Sequence, residues 1–321
     1  MLVRNQSAAS QTLQQVFHSH RDRKWIFLRG LGNWGDELLF HGAERMADNL
    51  GLQWKSFETA EFEATKTTAD HCIYLQGGGG FNSWSSGRAF VNLKLALQRP
   101  VHTVVQGPLS IGGDKAWLKN EFDHSISTRN CQHFCIFARE KFSLITLEEV
   151  LDPTRGTILR IDHDTALALG AEDLAAIADI KQIPIGNYDL IVIREDPEQP
   201  QSIASSDSHM IASKGIAIDP AYEATSFKHW VRIHLFARSI VTNRLHSSII
   251  GRIAGKPVVV GPGSYHKNRS VWEYSLASAG PDWIESFEPP PTPIWDHLPQ
   301  WIRNSYKVRR MRLALHRIPL N

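Results

Sequence analysis

The sequence predicts an α/β protein of two Rossmann-like domains facing each other across a cleft. Three observations predict it. Short apolar, β-rich runs alternate with amphipathic stretches, the rhythm of mostly parallel sheets covered by helices. The rhythm loosens between about Gly170 and Tyr188, where Pro184 and Gly186 punctuate it, and then restarts. And 321 residues suffice for two domains of ordinary size, each with its own core.

In the first half the strands are expected at Trp25–Leu28, Cys72–Leu75, Thr103–Gln106, Cys135–Ala138 and Ile158–Ile161. Between them, Asp36–Leu50 reads as a helix closed by Gly51, with Leu39, Ala43, Met46 and Leu50 on one stripe. Ala89–Gln98 reads as another. In the second half, Leu190–Arg194, Ser239–Thr242 and Pro257–Val260 read as strands, and Phe227–Arg238 and Leu245–Ala254 as helices. The resulting division is a polar extension over 1–23, a first domain over 24–180, a second over 181–288, and a Pro-rich connector with a basic tail over 289–321. Ligands of open α/β sheets bind at strand C-terminal ends, so the segments following strands deserve the closest reading.

Composition narrows the class. Hydrophobic residues at 42% and charged residues at 21% are ordinary for a globular chain, which argues against large-scale disorder. A net charge of +2 gives no case for nucleic acid as a partner. Three cysteines, Cys72, Cys131 and Cys135, are too few and odd in number for a disulfide scaffold. No second Cys/His pair stands at zinc-finger spacing from Cys131 and Cys135, and no metal is expected. No run has the apolar length of a membrane span, and the start lacks the apolar core of a signal peptide. A cytoplasmic protein is the expectation. No acid follows Asp296, while Arg303, Lys307, Arg309, Arg310, Arg312 and Arg317 crowd the tail. That tail reads either as a solvated helix face or as a peripheral contact with anionic lipid headgroups.

Six segments carry chemistry. Gly30-Leu31-Gly32-Asn33-Trp34-Gly35-Asp36 follows a strand and opens a helix. It fits the dinucleotide fingerprint, with Glu58 at the end of the next plausible strand. Two residues oppose that reading: bulky Trp34 in the turn, and Asp36, whose carboxylate would cap the helix N–H groups and repel phosphate. A cleft loop for another ligand and a structural turn are the alternatives. Gly77-Gly78-Gly79-Gly80 directly follows a strand, where bare backbone could approach a ligand or form an anion nest; the alternative is a flexible connector. Gln106-Gly107-Pro108 ends a strand, and Gln106 is either a polar ligand contact or part of a simple turn. Arg139-Glu140 and Asp162-His163-Asp164 read by default as structural ion pairs.

The fifth segment is Asn243-Arg244-Leu245-His246, between a strand end and a helix. A cation is disfavoured at a helix N-terminus, so Arg244 there invites a bound anion, which it can grip with two parallel hydrogen bonds. His246 is either a site residue or a core histidine, since it precedes Ile249 and Ile250 at helical spacing. Residues two apart on a helix diverge, so Arg244 and His246 share a site only if Arg244 still lies in the turn. The sixth segment, Gly261 to Arg269, sets Ser264, Lys267, Asn268 and Arg269 on a Gly-rich loop beside it, either to hold phosphate or as a solvated loop.

Taken in order, these segments resemble the polysaccharide pyruvyl transferases of bacterial exopolysaccharide synthesis. Gly32-Asn33-Trp34-Gly35-Asp36 is similar to that family's G-N-x-G-D motif. The glycines Gly77, Gly78 and Gly79, the Arg139-Glu140 pair, and the run from Leu190 to Asp196 also fit. Most specific are Arg244-Leu245-His246, Gly255 to Val259, and Ser264 to Asn268. The resemblance implies a glycosyltransferase-B-like fold, phosphoenolpyruvate as donor, a sugar or lipid-linked oligosaccharide as acceptor, and a cyclic pyruvate ketal as product, with no cofactor. It assigns the acceptor side to the first domain and the donor side to the second. Arg244 carries over as donor-binding residue and His246 as acid–base residue, suited because histidine as a class changes charge near neutrality. Gly32, Asn33, Gly35, Asp36, Gly77, Gly78, Gly79, Gln106, Ser264, Lys267 and Asn268 are the expected substrate-binding residues. Asn243 stands where relatives often carry Asp. The rival readings are a nucleotide-sugar-dependent glycosyltransferase of the same fold and a non-catalytic dinucleotide- or sugar-binding module. Protection against unfolding by phosphoenolpyruvate, a nucleotide sugar or NAD would separate them.

Overall fold

The structure, a computed structural model, describes residues 11–30, 32–85, 88–194, 196, 198 and 216–285. Glu195, the Pro-rich connector and the basic tail lie outside these residues. The chain forms two compact units that divide between Ala168 and Leu169.

The strands of the first unit are β1 (Lys24–Leu28), β2 (Gln53–Phe57), β3 (His71–Leu75), β4 (Gly78–Asn82), β5 (Thr103–Gly112), β6 (His133–Ala138) and β7 (Thr157–Ile161). Its helices are α1 (Leu13–Ser19), α2 (Trp34–Asn49), α3 (Thr59–Ala64), α4 (Arg88–Leu97), α5 (Lys115–Ser127) and α6 (Lys141–Val150). The strands pair in parallel in the order β2-β1-β3-β5-β6-β7, with β4 beside the end of β5. Both sheet faces are covered, so the strands are apolar on both sides. Ile26, Ile73, Val104 and Ile136 pack with Leu93, Phe122 and Leu147 of α4, α5 and α6. Their neighbours Trp25, Cys72, Val105 and Cys135 pack on the other face with Leu13, Phe17 and Ala43 of α1 and α2.

Residues 1–23, expected as a polar extension, contain α1. Thr12 and Gln15 form a capping box at its start, and Leu13, Val16 and Phe17 are buried. The helix is too short for its apolar face to stand out in a polar sequence, yet the Leu13 N–H donates to Asp162 Oδ2 at 2.6 Å and ties it to the end of β7.

The second unit contains β8 (Tyr188–Val192), β9 (Ile216–Ala217), β10 (Ala237–Thr242), β11 (Val258–Val260) and β12 (Asp282–Trp283). Its helices are α7 (Ala171–Ala178), α8 (Pro220–Glu223), α9 (Phe227–Leu235), α10 (Leu245–Ile253) and α11 (Lys267–Val271). The strands run in parallel in the order β12-β11-β10-β8-β9. Helix α9 stops at Leu235, short of the expected Arg238, because Ala237 already pairs with Tyr188 in the sheet. Helix α7 belongs with this unit and packs on α9.

Each sheet therefore has one strand order. The chain builds outward from its first strand to the second, then returns to the other side for the third. The crevice where the direction reverses lies between β1 and β3 in the first unit and between β8 and β10 in the second. Such switch points, at strand C-terminal ends, are where open α/β sheets bind ligands. No described helix is long and apolar enough to cross a membrane.

Candidate functional site

At the switch point of the second unit, Thr242 ends β10 and its Oγ1 accepts from the Arg244 N–H at 2.9 Å. This turn holds Arg244 extended (φ −98°, ψ 119°) as the N-cap of α10, with Leu245 the first helical residue. Arg244 is thus still in the turn. His246, second in the helix, is half-buried, whereas Ser247 to Ile250 are buried. The core histidine of this unit is His234. It bonds the Trp230 carbonyl through Nδ1 at 2.8 Å and Ser247 Oγ through Nε2 at 2.9 Å, and burial pushes its pKa down to about 4.

Arg244 is buried at 7% exposure, and its guanidinium is already gripped. Nε and Nη2 donate to the two carboxylate oxygens of Asp219 at 2.5 Å each, and Nη2 also donates to Asp196 at 3.0 Å. The exposed ring of Tyr222 lies 5.6 Å from the guanidinium carbon. Asp219 follows β9 and caps α8 through the Ala221 N–H. After β8, Arg194 forms a two-pronged pair with Asp196 at 2.9 Å and bonds Glu198 through Nη1. Glu198 also accepts from Lys267 Nζ at 2.5 Å. Three cations therefore face three carboxylates. Burial pushes Asp196 and Glu198 up, but their cationic neighbours outweigh it and hold both below the usual carboxylate range. Burial opposes the charge of Arg244, and Asp219 with Asp196 more than restores it.

The electrostatic expectation for Arg244 is corrected here. A cation at a helix N-terminus does need an anion, but the protein supplies Asp219. Sequence reading missed that residue, although Asp219-Pro220 is a recognisable helix start, an N-cap acid before a proline at the first helical position. The Asn243 side chain serves a neighbouring loop: Oδ1 accepts from the Arg194 N–H at 2.8 Å, and its carbonyl accepts from Asn268 Nδ2 at 2.6 Å. Asn268 also donates to the Gly261 carbonyl, and the Ser264 N–H donates to the Glu198 carbonyl. Arg194 and Asn243-Arg244, in the turns after β8 and β10, are thereby brought together with Lys267 and Asn268 at the start of α11, after β11. Ser264 is exposed at their edge. Arg269 points elsewhere, to Glu273 and Glu285.

The first unit's switch point is built differently. Asn33 caps α2: its Oδ1 accepts from the Gly35 N–H at 2.8 Å, and Asp36 Oδ2 accepts from the Asn33 N–H at 2.8 Å. A Cβ on Gly32 would stand 2.3 Å from that Asp36 carboxylate, so only glycine fits. The helix N-terminus is closed by its own side chains, which disfavours the dinucleotide reading. Glu58 directly follows the end of β2, as expected, and takes part in the cap of α3 through its N–H, which donates to Glu61.

The glycine run is neither a flexible connector nor a bare nest. Gly78 to Asn82 form β4, which continues the line of β3 beside the second half of β5. The two strands kink together. A Cβ on Gly77 would lie 2.0 Å from the Pro108 carbonyl oxygen, and Gly78 takes φ +107°. Gly78 is buried, and a Cβ there would meet Leu39 Cδ1 at 3.2 Å and Asp36 Oδ1 at 3.7 Å, so Gly32, Asn33, Gly35, Asp36, Gly77 and Gly78 gather at one crevice. The Gly79 carbonyl accepts from Asn82 Nδ2. Gln106 is buried and donates to the Gln76 carbonyl at 2.8 Å, so its amide N–H holds the kink rather than a ligand. Arg139 is fully buried, paired with Asp164 at 2.7 Å and bonded to Ser110. Glu140 caps α6 through Ser143. These are structural pairs, as the default reading had them.

A family model described as polysaccharide pyruvyl transferase matches residues 10–260, spanning the glycine-rich crevice of the first unit and the arginine cluster of the second. A solved structure of a functionally uncharacterised protein from Klebsiella pneumoniae superposes with a TM-score of 0.59 at 18% identity, covering 89% of this chain and 100% of that one. That likeness shows a shared α/β fold. No curated protein matches the sequence. With the motifs seated at the two switch points and the family match running over most of its length, the chain belongs to the polysaccharide pyruvyl transferase family.

Proposed function

We propose that the protein transfers the pyruvyl group of phosphoenolpyruvate to two hydroxyls of one sugar, closing a cyclic ketal in exopolysaccharide synthesis. Family membership gives the reaction class, pyruvyl transfer. The observation that carries the donor assignment is the buried cluster of Arg194, Arg244 and Lys267, paired with Asp196, Asp219 and Glu198 at a switch point. Phosphoenolpyruvate bears a carboxylate and a phosphate. Arg244 Nε and Nη2 are committed to Asp219, and its Nη1 offers two further donors to an incoming anion. The anion also takes over donors now shared with Asp196 and Glu198. Since the carboxylates already balance the cations, binding is an exchange of partners, which favours ligands that match the planar guanidinium.

The reaction then runs in four steps. A general acid delivers a proton to the methylene carbon of phosphoenolpyruvate, converting it to a methyl group and leaving an oxocarbenium-like carbon. One sugar hydroxyl adds there and gives up its proton. Phosphate leaves with its bridging oxygen. The second hydroxyl adds to the same carbon, loses its proton, and closes the ketal. His246, half-exposed beside Arg244, is the proposed acid or base. His246→Ala is expected to abolish turnover while leaving the thermal midpoint near that of the unaltered protein; a fully active variant would remove His246 from the mechanism.

The acceptor is proposed to be a sugar or lipid-linked oligosaccharide. Mass spectrometry of oligosaccharides incubated with enzyme and phosphoenolpyruvate tests the whole reading. The expected product gains one pyruvyl ketal per acceptor with release of inorganic phosphate. Glycosyl gain from a nucleotide sugar, with no gain from phosphoenolpyruvate, would overturn it.

A further inference from the structure

Among the described residues one gathering of metal-ligating side chains stands away from both switch points, at the N-terminal edge of the first sheet. His20, Cys72 and His102 each place a ligand atom there, and these atoms all lie within 4.8 Å of one another. The three come from separate segments. His20 ends α1, where the Trp25 indole N–H donates to its carbonyl at 3.1 Å and fixes the turn into β1. Cys72 lies near the start of β3, wholly buried on the face that α1 covers. His102 immediately precedes β5, and its N–H donates to the His71 carbonyl at 2.9 Å. A contact of 2.8 Å between His102 Nδ1 and Thr103 Oγ1 orients the ring and leaves Nε2 for coordination. The rings of His20 and His102 are 5.1 Å apart, and His133 follows next in line at 5.0 Å from His102.

We propose that His20, Cys72 and His102 bind a zinc ion that pins the end of α1 to the edge of the first sheet. One thiolate and two imidazoles are zinc ligands, and the absence of a carboxylate from the set disfavours calcium and magnesium. Tetrahedral zinc, with bonds of about 2.0–2.3 Å, needs ligand atoms about 3.5 Å apart. His20 and His102 are half-buried, so their rings have room to close that gap. Three protein ligands leave the fourth position to water.

Zinc binds cysteine as the thiolate, so a metal entering here must displace the Cys72 proton. Arg23 and Arg160 lie beside His20. Arg23 and Arg160 oppose a cation nearby, which places the affinity below that of an all-cysteine site.

The full-length protein, stripped with a chelator, tests this directly. One Zn²⁺ is expected to bind per chain and raise the thermal midpoint by several degrees, while Mg²⁺ at the same concentration leaves it unchanged. Co²⁺ in place of Zn²⁺ is expected to give a near-ultraviolet sulfur-to-cobalt charge-transfer band. Cys72→Ser abolishes that band. His20→Gln, at a half-buried position that tolerates the change, weakens Zn²⁺ affinity by more than the roughly tenfold typical of losing a mere supporting contact. Failure to bind stoichiometric Zn²⁺, a cobalt spectrum without the sulfur band, or binding unaltered in both variants overturns the proposal. None of these readouts depends on pyruvyl transfer, so the two proposals fail separately.

Discussion

The two units share a strand order and differ in what fills the reversal of that order. In the first, the crevice between β1 and β3 is lined by backbone: Gly32, Gly77 and Gly78 let the chain come close, and one acid, Asp36, serves the cap of α2. In the second, the crevice between β8 and β10 is filled by side-chain charge: Arg194, Arg244 and Lys267 against Asp196, Glu198 and Asp219. Topology therefore chooses the place, and sequence chooses the chemistry. The proposed division of labour, a sugar acceptor at the first crevice and an anionic donor at the second, rests on this contrast.

The largest expected break in this comparison falls on the charged side. Asp219→Ala takes two hydrogen bonds from the buried Arg244 guanidinium, leaving Asp196 as its remaining carboxylate partner, and removes the α8 cap at once. Breaking a buried pair by removing one partner costs about 3–5 kcal/mol. The urea midpoint should fall accordingly, and Arg244→Ala made in the Asp219→Ala background should cost far less than in the intact protein. Additive losses in that double-mutant cycle would show that the two side chains are not coupled.

Acid acts next, and on both units, since burial lowers His20 of the first unit to about 4 as well. In the second unit Asp196 and Glu198 are held below the usual carboxylate range, so the stability they lend is present above the unfolded carboxylate pKa and lost as pH falls through their folded values. His234 acts earlier. Burial lowers its folded pKa from 6.5 to about 4, so the unfolded chain binds the proton first and stability falls as pH drops across that window. A shift of this size corresponds to roughly 3 kcal/mol by pH 4. Urea midpoints measured from pH 7 to pH 4 check it, and His234→Gln should flatten the upper part of the profile. A midpoint that does not move between pH 7 and pH 5 would contradict the burial of a neutral His234.

A smaller loss is expected in the glycine-lined crevice. Gly77→Ala puts a methyl carbon 2.0 Å from the Pro108 carbonyl oxygen, and both are backbone-bound. The coupled kink of β3 and β5 must open, at the roughly 1–3 kcal/mol usual for overpacking. Chemical denaturation of the variant checks this, and an unchanged midpoint would mean that the kink is soft.

Sequence patterns showed the sheets well and the crevice contacts poorly, for one physical reason. Periodicity reports which face of an element is buried, so Trp25–Leu28 and Leu245–Ala254 were legible to within a residue, while β5 was found at its start, Thr103, but runs past the expected Gln106 to Gly112. It also placed Arg244 at the turn before a helix. Periodicity says nothing of partners brought from elsewhere in the chain. Asp219 reaches Arg244 across 25 positions, and Glu198 reaches Lys267 across 69. Gly78 to Asn82 concealed a strand because its three glycines carry no hydrophobic signal. In α1, seven residues with three buried apolar side chains were too few to register. His20, Cys72 and His102 follow the same rule, since sequence spacing finds metal ligands only when they are close along the chain.

The smallest expected effect distinguishes the two helix starts that face these crevices. Asn33 caps α2 with its own side chain, whereas Arg244 stands at the N-cap of α10 and makes no cap bond. Asn33→Ala removes the acceptor for the Gly35 N–H, while Asp36 can still accept from the residue 33 backbone. Half of the capping box survives, so the expected loss is about 1 kcal/mol. Asn33→Asp should restore most of it, because a carboxylate accepts the same bond and suits the positive helix end. It would also set a second negative charge beside Asp36 at the crevice proposed for the acceptor. If that crevice binds a neutral sugar, Asn33→Asp should change KM for the acceptor modestly and leave KM for phosphoenolpyruvate unchanged. A rise confined to the phosphoenolpyruvate KM would instead place the donor beside Asp36, and would reverse the assignment of the two crevices.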